Sequence, residues 1–243
     1  MTWAHDKLIA MIKRTFFLFL CMLGAAALFS SDMPNAQAQS GSAQSVHVLS
    51  VDGAISPAYA DYIKDGIGNA HAQGAELVLI ELNTPGGLLT STRSIVSTIL
   101  GSPVPVVVYV TPSGAHAASA GTFILMAGHI AAMDTGTNVG AATPVEIGGP
   151  LSGGSEKEEE QSGNSNDRAL AEKAKQNTTA FIRSIAEMRG RNVEWAERAV
   201  MEANSITEQE ALEKNVIDLV AASRSELLAK IHEEVHFLTD ILL

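Results

Sequence analysis

Cysteine is nearly absent from the 243-residue chain, because Cys21 is the only one. A single thiol excludes an internal disulfide and a cysteine-rich zinc site. Basic residues are also scarce, with 16 Lys and Arg against 27 Asp and Glu and a formal net charge of −11. An acidic chain is a poor partner for nucleic acid or anionic lipid headgroups. The sequence also lacks a glycine-rich phosphate loop, so we predict no nucleic-acid partner and no cofactor.

Histidine offers little for a metal site. The seven histidines are scattered, and only His232 and His236 stand four residues apart on a predicted helix. No cysteine or carboxylate stands in an obvious third ligand position, so the sequence predicts no metal.

The N-terminus has the pattern of a secretory signal. A basic stretch ending at Arg14 precedes an apolar run over 15–29, and Ala36-Gln-Ala38 fits a small-x-small cleavage site. The run is shorter than the roughly 20 residues of a membrane span, which favours cleavage of 1–38 over a retained anchor. Cleavage would remove Cys21, and a cysteine-free exported domain is typical of a bacterial periplasm or cell envelope.

Strand and helix patterns alternate after a polar linker at 39–45. The predicted strands cover 46–51, 76–82, 104–110, 129–133 and 216–221. The predicted helices cover 56–73, 89–100, 119–127, 167–188, 193–203 and a segment that opens with a capping box at 207–210. Near-continuous apolar strands between helices predict an α/β fold with a parallel sheet.

One internal segment has too few apolar residues to form a helix or strand with a buried face. Residues 148–166 are rich in Gly, Ser and Glu, and this composition predicts a mobile acidic loop. We expect a single domain over 46–222 that contains this loop, followed by an amphipathic C-terminal helix over 223–243.

Ser119 is the candidate nucleophile. It stands in Ala117-Ala-Ser-Ala-Gly121, directly ahead of a short apolar helix whose N-terminal N–H groups and dipole favour an oxyanion. Upstream, Asn83-Thr-Pro-Gly-Gly87 is a sharp turn after an apolar strand, and its glycine N–H groups suit an oxyanion hole. Both segments follow the carboxyl ends of strands, where open α/β sheets place ligands.

A nucleophilic serine needs a base, and the residues alone leave several candidates. His116 is three residues before Ser119 and His129 begins a strand, so structural roles are favoured for both. Lys173 and Lys175 flank the apolar stripe of the helix after the acidic loop, and periodicity does not choose between them. A lysine serves as a base only in its neutral form.

The chain resembles the membrane-associated Clp-class serine proteases of the NfeD type over nearly all of 45–222. The motifs that carry the resemblance are Asn83-Thr-Pro-Gly-Gly87, Ala117-Ala-Ser-Ala-Gly121, Gly136-Thr-Asn-Val-Gly-Ala-Ala-Thr-Pro144, the segment 181–192 that ends in Arg189-Gly-Arg-Asn192, and the segment 206–212. The resemblance implies a ClpP/crotonase-like spiral of ββα units.

The resemblance also implies a Ser–Lys dyad. Aligned through Arg189-Gly-Arg-Asn192, the family's lysine falls on Lys173, and the oxyanion-hole N–H groups fall on Gly87 and Ala120. Ala142 occupies the position of the triad histidine of cytosolic Clp peptidases, which agrees with a lysine base. Further expectations from the family are cleavage of apolar segments in membrane-associated proteins, a stomatin- or prohibitin-like partner, and a homodimer.

Two other classes of function compete with an exported endopeptidase. A weakly catalytic scaffold that binds a stomatin-like membrane partner is one, and the presence of both Ser119 and Lys173 argues against it. A crotonase-type acyl-CoA enzyme is the other. The export signal argues against it, since coenzyme A is cytosolic.

Overall fold

The computed structural model of the chain describes residues 45–144 and 165–232. Its strands are β1 (Val46–Asp52), β2 (Leu77–Asn83), β3 (Val106–Val110), β4 (His116–Ala118), β5 (Ile130–Met133), β6 (Asn138–Gly140), β7 (Ser205–Thr207) and β8 (Leu219–Val220). Its helices are α1 (Pro57–Ala72), α2 (Leu89–Leu100), α3 (Ala120–Ala127), α4 (Ser165–Met188), α5 (Val193–Met201) and α6 (Glu208–Glu213), and residues 224–232 are also helical.

Five strands form a parallel sheet in the order β1-β2-β3-β5-β8. Their residues are apolar on both faces because both faces are covered, as is usual for parallel sheets. Along β2, Val78, Ile80 and Leu82 face one hydrophobic cluster with the helices α1 to α5, whereas Leu79 faces a second cluster. The predicted α/β fold with a parallel sheet is confirmed.

The second face of the sheet is covered by the helical segment 224–232. Leu227 and Ile231 of this segment pack in the cluster that contains Leu79. Arg224 fixes the start of the segment, since its Nε and Nη2 donate to the two carboxylate oxygens of Glu81 at 2.7 and 2.9 Å. The predicted C-terminal helix therefore begins as expected, and its remainder lies outside the described residues.

A small second sheet stands beside the first. β4 pairs with β6 in parallel, and β6 pairs with β7 in antiparallel orientation. None of these three-residue strands was predicted, because a run that short shows no periodicity. The second sheet determines where α3 begins, because β4 ends at Ala118 and α3 starts at Ala120.

Helix boundaries follow local capping chemistry. Ser56 caps α1 by accepting a hydrogen bond from the Tyr59 N–H, with Pro57 at the first helical position, and the predicted capping box of Thr207 and Glu210 opens α6.

Some predicted boundaries differ from the observed ones. α4 begins at Ser165 rather than after Asp167, and α5 ends at Met201 rather than at residue 203. The predicted strand 216–221 is reduced to β8, because Val216 and Ile217 hydrogen-bond back to the end of α6. The export signal lies outside the described residues, as does the acidic loop except for its last residues.

Candidate active site

The turn after β2 lies directly against β4. The Thr84 N–H donates to the His116 carbonyl at 2.8 Å, and the Ala118 N–H donates to the Thr84 carbonyl at 3.0 Å. These two bonds form an isolated parallel bridge between Thr84 and Ala117. The structure therefore brings together the two segments that the sequence singled out.

Ser119 occupies a sharp junction between β4 and α3. Its backbone has φ 51° and ψ −110°, a positive φ that costs a non-glycine residue about 1–3 kcal/mol. Strand, strained serine and helix follow in the order seen in the nucleophile elbow of α/β hydrolases. Ala117 replaces the first glycine of that motif, so the sequence pattern did not reveal this geometry.

Hydrogen bonds on both sides hold the strained junction. The Ser119 N–H donates to the Gly140 carbonyl at 3.0 Å, and the Thr122 N–H donates to the Ser119 carbonyl at 3.0 Å. The buried Thr122 hydroxyl lies 3.0 Å from both the Ala117 and the Gly140 carbonyl oxygens, so its hydrogen is shared between β4 and β6. The second sheet thus fixes the backbone of Ser119.

Gly86 faces Ser119 across a very short gap. A Cβ atom on Gly86 would lie 2.8 Å from the Ser119 Cβ and 3.2 Å from its Oγ. Gly86 also has φ +122°, which side chains rarely adopt. The Thr84 hydroxyl holds this turn, since it lies 3.1 Å from both the amide nitrogen and the carbonyl oxygen of Gly86.

Two N–H groups lie near Ser119 without a protein acceptor. Neither the Gly87 N–H nor the Ala120 N–H donates a hydrogen bond to any residue in the described ranges. Both residues line the same cavity as Ser119. The Ala120 N–H is also at the positive end of α3, so this arrangement can stabilise an oxyanion.

The cavity beside Ser119 has a volume of about 240 Å³ and mostly apolar walls. Leu89, Phe123, Ala142 and Pro144 form much of its surface. Leu89 remains 39% exposed, so one apolar side chain of the lining also reaches the surface. This composition suits an apolar side chain better than a charged one.

An aromatic pair supports one wall. Phe123 stacks on Phe181 with ring centroids 5.5 Å apart, and the Arg93 guanidinium lies 4.2 Å from the Phe181 centroid on its face. The pair ties α3 to α4, which also contributes residues to the wall.

α4 contributes small residues to the cavity, but neither candidate lysine. Ala171, Ala174 and Thr178 line the cavity from one face of the helix. Lys173 precedes Ala174 by about 100° around the helix axis and is exposed, whereas Lys175 is half-buried. No hydrogen bond joins Lys173 to Ser119 within the described part of the chain.

The two candidate histidines also lie outside the cavity lining. His116 is half-buried in β4, and its backbone N–H donates to Asn83 Oδ1 at 3.2 Å. His129 Nδ1 accepts from the Val106 N–H at 3.1 Å. Burial, and to a smaller degree the charge of Arg189, lower the pKa of His129 below its usual 6.5. The His129 imidazole thus holds the backbone at the start of β3, which is a structural role.

Sequence reasoning missed the anchoring of the far end of α3. Arg189 Nε donates to the Ala127 carbonyl at 2.8 Å, and Arg191 donates to the Met126 and Gly128 carbonyls at 3.2 Å each. Two cations thus satisfy the C-terminal carbonyls of the helix that carries Ser119 and complement its dipole. Both arginines stand in a motif that marked the family resemblance, and only tertiary structure shows what they contact.

Arg191 also forms an ion pair that is buried on the arginine side only, since the Arg191 side chain is 2% exposed and that of Asp218 is 37% exposed. Nη1 and Nη2 of Arg191 donate to the two carboxylate oxygens of Asp218 at 3.0 and 2.8 Å. Asp218 Oδ2 in turn accepts from the Ala131 N–H at 2.7 Å. The pair therefore joins α3, β5 and the segment before β8.

Across 45–144 and 165–232, no three or more His, Cys, Asp or Glu side chains gather in a way that suits a metal ion. His236 of the pair noted in the sequence lies outside these ranges. No helix in the same ranges has the length and apolar character needed to cross a membrane.

The chain is similar in sequence to a membrane-bound protease. The membrane-bound protease PH1510 of Pyrococcus horikoshii is 36% identical over 188 residues, which are 76% of this chain and 39% of that protein. The chain therefore spans about two-fifths of the length of this relative.

Two solved structures are similar along most of their length. A serine-to-alanine variant of the 1510-N membrane-bound stomatin-specific protease is 37% identical, with a TM-score of 0.66 and coverage of 76% of this chain and 83% of that one. A lysine-to-alanine variant in complex with a substrate peptide is 36% identical, with a TM-score of 0.66 and coverage of 76% and 78%.

The family assignment rests on a match to most of the chain. The family described as the NfeD1b N-terminal domain matches residues 45–236. The fold is that of the ClpP-like protease domain of the solved relatives. The chain belongs to the NfeD1b N-terminal domain family.

Proposed function

We propose that this chain is a serine endopeptidase in which Ser119 is the nucleophile and Lys173 is the general base. The single observation that carries the proposal is the strained strand–Ser119–helix junction, which faces the N–H groups of Gly87 and Ala120 in one cavity. The similar structures support it, because they are variants of a protease in which a serine or a lysine has been replaced.

The proposed reaction uses the Ser119 hydroxyl, the Lys173 amine and two backbone N–H groups. Neutral Lys173 accepts the proton of Ser119 Oγ as that oxygen attacks a peptide carbonyl, and the N–H groups of Gly87 and Ala120 stabilise the oxyanion. The Lys173 ammonium then protonates the leaving amine, and water hydrolyses the acyl-enzyme.

Substrate binding is the proposed step that brings Lys173 to Ser119. No titratable side chain lines the cavity among the described residues, and α4 already forms a wall through Ala171 and Ala174. Lys173 directly precedes Ala174, and in this proposal α4 shifts when substrate binds so that the lysine side chain enters the cavity. Catalytic hydrogen bonds commonly tighten only when substrate is bound.

We propose an apolar segment of a stomatin-like membrane-associated protein as the substrate. Leu88, Leu89 and Leu170 are large apolar side chains that are 36%, 39% and 59% exposed, and Leu89 lines the cavity. The 1510-N protease is described as specific for a stomatin, which supports a partner of this kind. Export to the cell envelope and a homodimer remain predictions from the sequence.

Four versions of the full chain test the chemistry on an apolar peptide. We expect the parent to cut it, and both Ser119→Ala and Lys173→Ala to lose about 100-fold or more in kcat/KM. Lys175→Ala is the matched control on the same helix and should stay within a few-fold of the parent. A Ser119→Ala variant that cuts as well as the parent contradicts the nucleophile.

The control also distinguishes the two lysines. If Lys175→Ala loses activity while Lys173→Ala keeps it, the base is misassigned, although the serine mechanism survives. A parent that binds the peptide without cutting it supports a scaffold for a stomatin-like partner instead.

A further inference from the structure

Asn83, the last residue of β2, lies where this strand changes its pairing partner. The Thr111 N–H donates to the Leu82 carbonyl at 3.2 Å, which pairs the end of β2 with the residue after β3. The Thr84 N–H donates to the His116 carbonyl at 2.8 Å, which pairs the next residue with β4 instead. A regular parallel ladder would continue from the His116 N–H to the Leu82 carbonyl, but this carbonyl is already bonded to Thr111. The His116 N–H therefore needs another acceptor.

The Asn83 side chain supplies that acceptor and also bonds to the neighbouring strand on the other side. Its Oδ1 accepts from the His116 backbone N–H at 3.2 Å, and its Nδ2 donates to Asp52 Oδ1 at 2.9 Å. Only this orientation of the amide satisfies both partners, because the N–H requires an acceptor and the carboxylate requires a donor. Since Asp52 is the last residue of β1, one amide joins the end of β1, the end of β2 and the start of β4.

The turn that follows Asn83 carries the Gly87 N–H of the proposed oxyanion hole. On one side of this turn, the Ile55 N–H donates to the Gly86 carbonyl at 2.7 Å. On the other side, β4 ends at the residue before Ser119. The two side-chain bonds of Asn83 span the start of the same turn. They therefore link the segment that carries the Gly87 N–H to the strand that carries the nucleophile.

We propose that Asn83 is a positioning residue, which aligns the Gly87 N–H with Ser119 by bonding to Asp52 and to β4 at once. Among the described residues Asn83 lies outside the cavity lining, so it acts through the backbone and not on the substrate. The oxyanion exists only during the reaction, and misalignment of its donors lowers kcat while KM changes little. This inference rests on the proposed peptidase function and adds the residue that sets the geometry of its site.

The test measures kcat and KM separately for the full chain on an apolar peptide. Asn83→Ala removes both bonds, and we expect kcat to fall about 10- to 100-fold while KM stays within about 3-fold of the parent. Asn192→Ala is the matched control, because the Asn192 amide accepts from the Trp195 N–H and donates to the Lys214 carbonyl, both at 2.8 Å. None of these three residues lines the cavity, so this variant should melt at a lower temperature but keep its kcat.

An exchange of the two bonded side chains separates positioning from stability. Asn83→Asp keeps an acceptor for the His116 N–H, but it removes the donor to Asp52 and brings two carboxylates together, so kcat should fall. Asp52→Asn added to Asn83→Asp restores the bond with its donor and acceptor reversed. This double variant should recover kcat to within about 3-fold of the parent.

Hydrogen exchange of backbone amides, followed by mass spectrometry, gives a second readout that needs no catalysis. In Asn83→Ala the peptide that covers residues 116–118 should exchange faster than in the parent, because the His116 N–H has lost its acceptor. Exchange in the same peptide should not change in Asn192→Ala. If Asn83→Ala does not fold, Asn83→Asp and the double variant are compared in the same way.

The outcomes distinguish the positioning role from the chemistry. An unchanged kcat in Asn83→Ala, or a double variant that stays as impaired as Asn83→Asp, overturns the inference and leaves the peptidase intact. If the parent cuts nothing, faster exchange in Asn83→Asp that the double variant reverses supports the alignment by Asn83, and the peptidase proposal falls. An inert parent with unchanged exchange in all Asn83 variants overturns both.

Discussion

Replacing Gly86 with alanine should damage both stability and catalysis. A Cβ at this position would lie 2.8 Å from the Ser119 Cβ, roughly 0.7 Å closer than an ordinary carbon contact. The backbone at φ +122° adds a strain of about 1–3 kcal/mol for any residue other than glycine. Relief of the contact requires Ser119 or the turn to move, and neither can do so without breaking hydrogen bonds to β4 or β6.

The close contact and the backbone strain predict measurable changes in the thermal midpoint and in kcat/KM. A loss of about 1–3 kcal/mol lowers the thermal midpoint of a domain of this size by about 2–12 °C. A displacement of about 1 Å at a reacting atom costs about 100-fold in rate. We therefore expect Gly86→Ala to melt several degrees lower, and to lose about 100-fold in kcat/KM when assayed well below both midpoints.

Gly68→Ala is the matched control. Gly68 is an exposed residue inside α1, and a Cβ there would meet no atom within 4 Å. Alanine at a helical glycine stabilises by about 0.5–1 kcal/mol, so this variant should melt slightly higher and keep full activity. A Gly86→Ala protein that matches the parent in both midpoint and activity refutes the packing argument.

Two further predictions concern the scaffold around α3. Arg191→Ala leaves three backbone carbonyls without their donor and the part-exposed Asp218 carboxylate without its partner, so urea denaturation should show a loss of about 1–3 kcal/mol. Arg198→Ala, which removes an exposed i,i+4 pair, should cost less than about 1 kcal/mol, and an equal loss in both variants contradicts the anchoring role. The pKa of His129 is lower in the folded than in the unfolded chain, so the unfolded chain binds more protons at acidic pH. The free energy of unfolding should therefore decrease as pH falls below about 6.5. His129→Asn retains an acceptor for the Val106 N–H and should flatten this dependence in thermal melts; an unchanged slope contradicts the assignment.

Local signals in the sequence were sufficient for most of the first sheet and its helices. α2 begins and ends where its apolar periodicity does, at Leu89 and Leu100. α1 follows the capping serine and proline at 56 and 57. These elements could be predicted because their boundaries depend on neighbouring residues and on a regular apolar pattern.

The second sheet depends on contacts that no local pattern encodes. β4 has the sequence His-Ala-Ala, and it is stabilised by pairing with Asn138–Gly140, about twenty residues later, and by Thr84 before it. The strained backbone of Ser119 depends on the same pairing. The sequence could therefore place Ser119 after the predicted strand 104–110, but it could not show which contacts hold the backbone of Ser119.

The position of the base is the part of the site with the least support from geometry. The family resemblance selects Lys173 over Lys175, whereas the structure shows Lys173 exposed on α4 beside a residue of the cavity wall. Helical periodicity gave no preference, because both lysines flank the same apolar face. The activities of Lys173→Ala and Lys175→Ala therefore decide which lysine is the base.

The most direct test of the account is to trap the acyl-enzyme. The full chain would be incubated with an apolar acyl p-nitrophenyl ester, quenched in acid and analysed by intact mass and peptide mapping. We predict a mass increase of one acyl group on Ser119, which is absent from Ser119→Ala. Release of p-nitrophenol with the acyl group on another residue, or with equal acylation of Ser119→Ala, would contradict the assignment of Ser119 as the nucleophile.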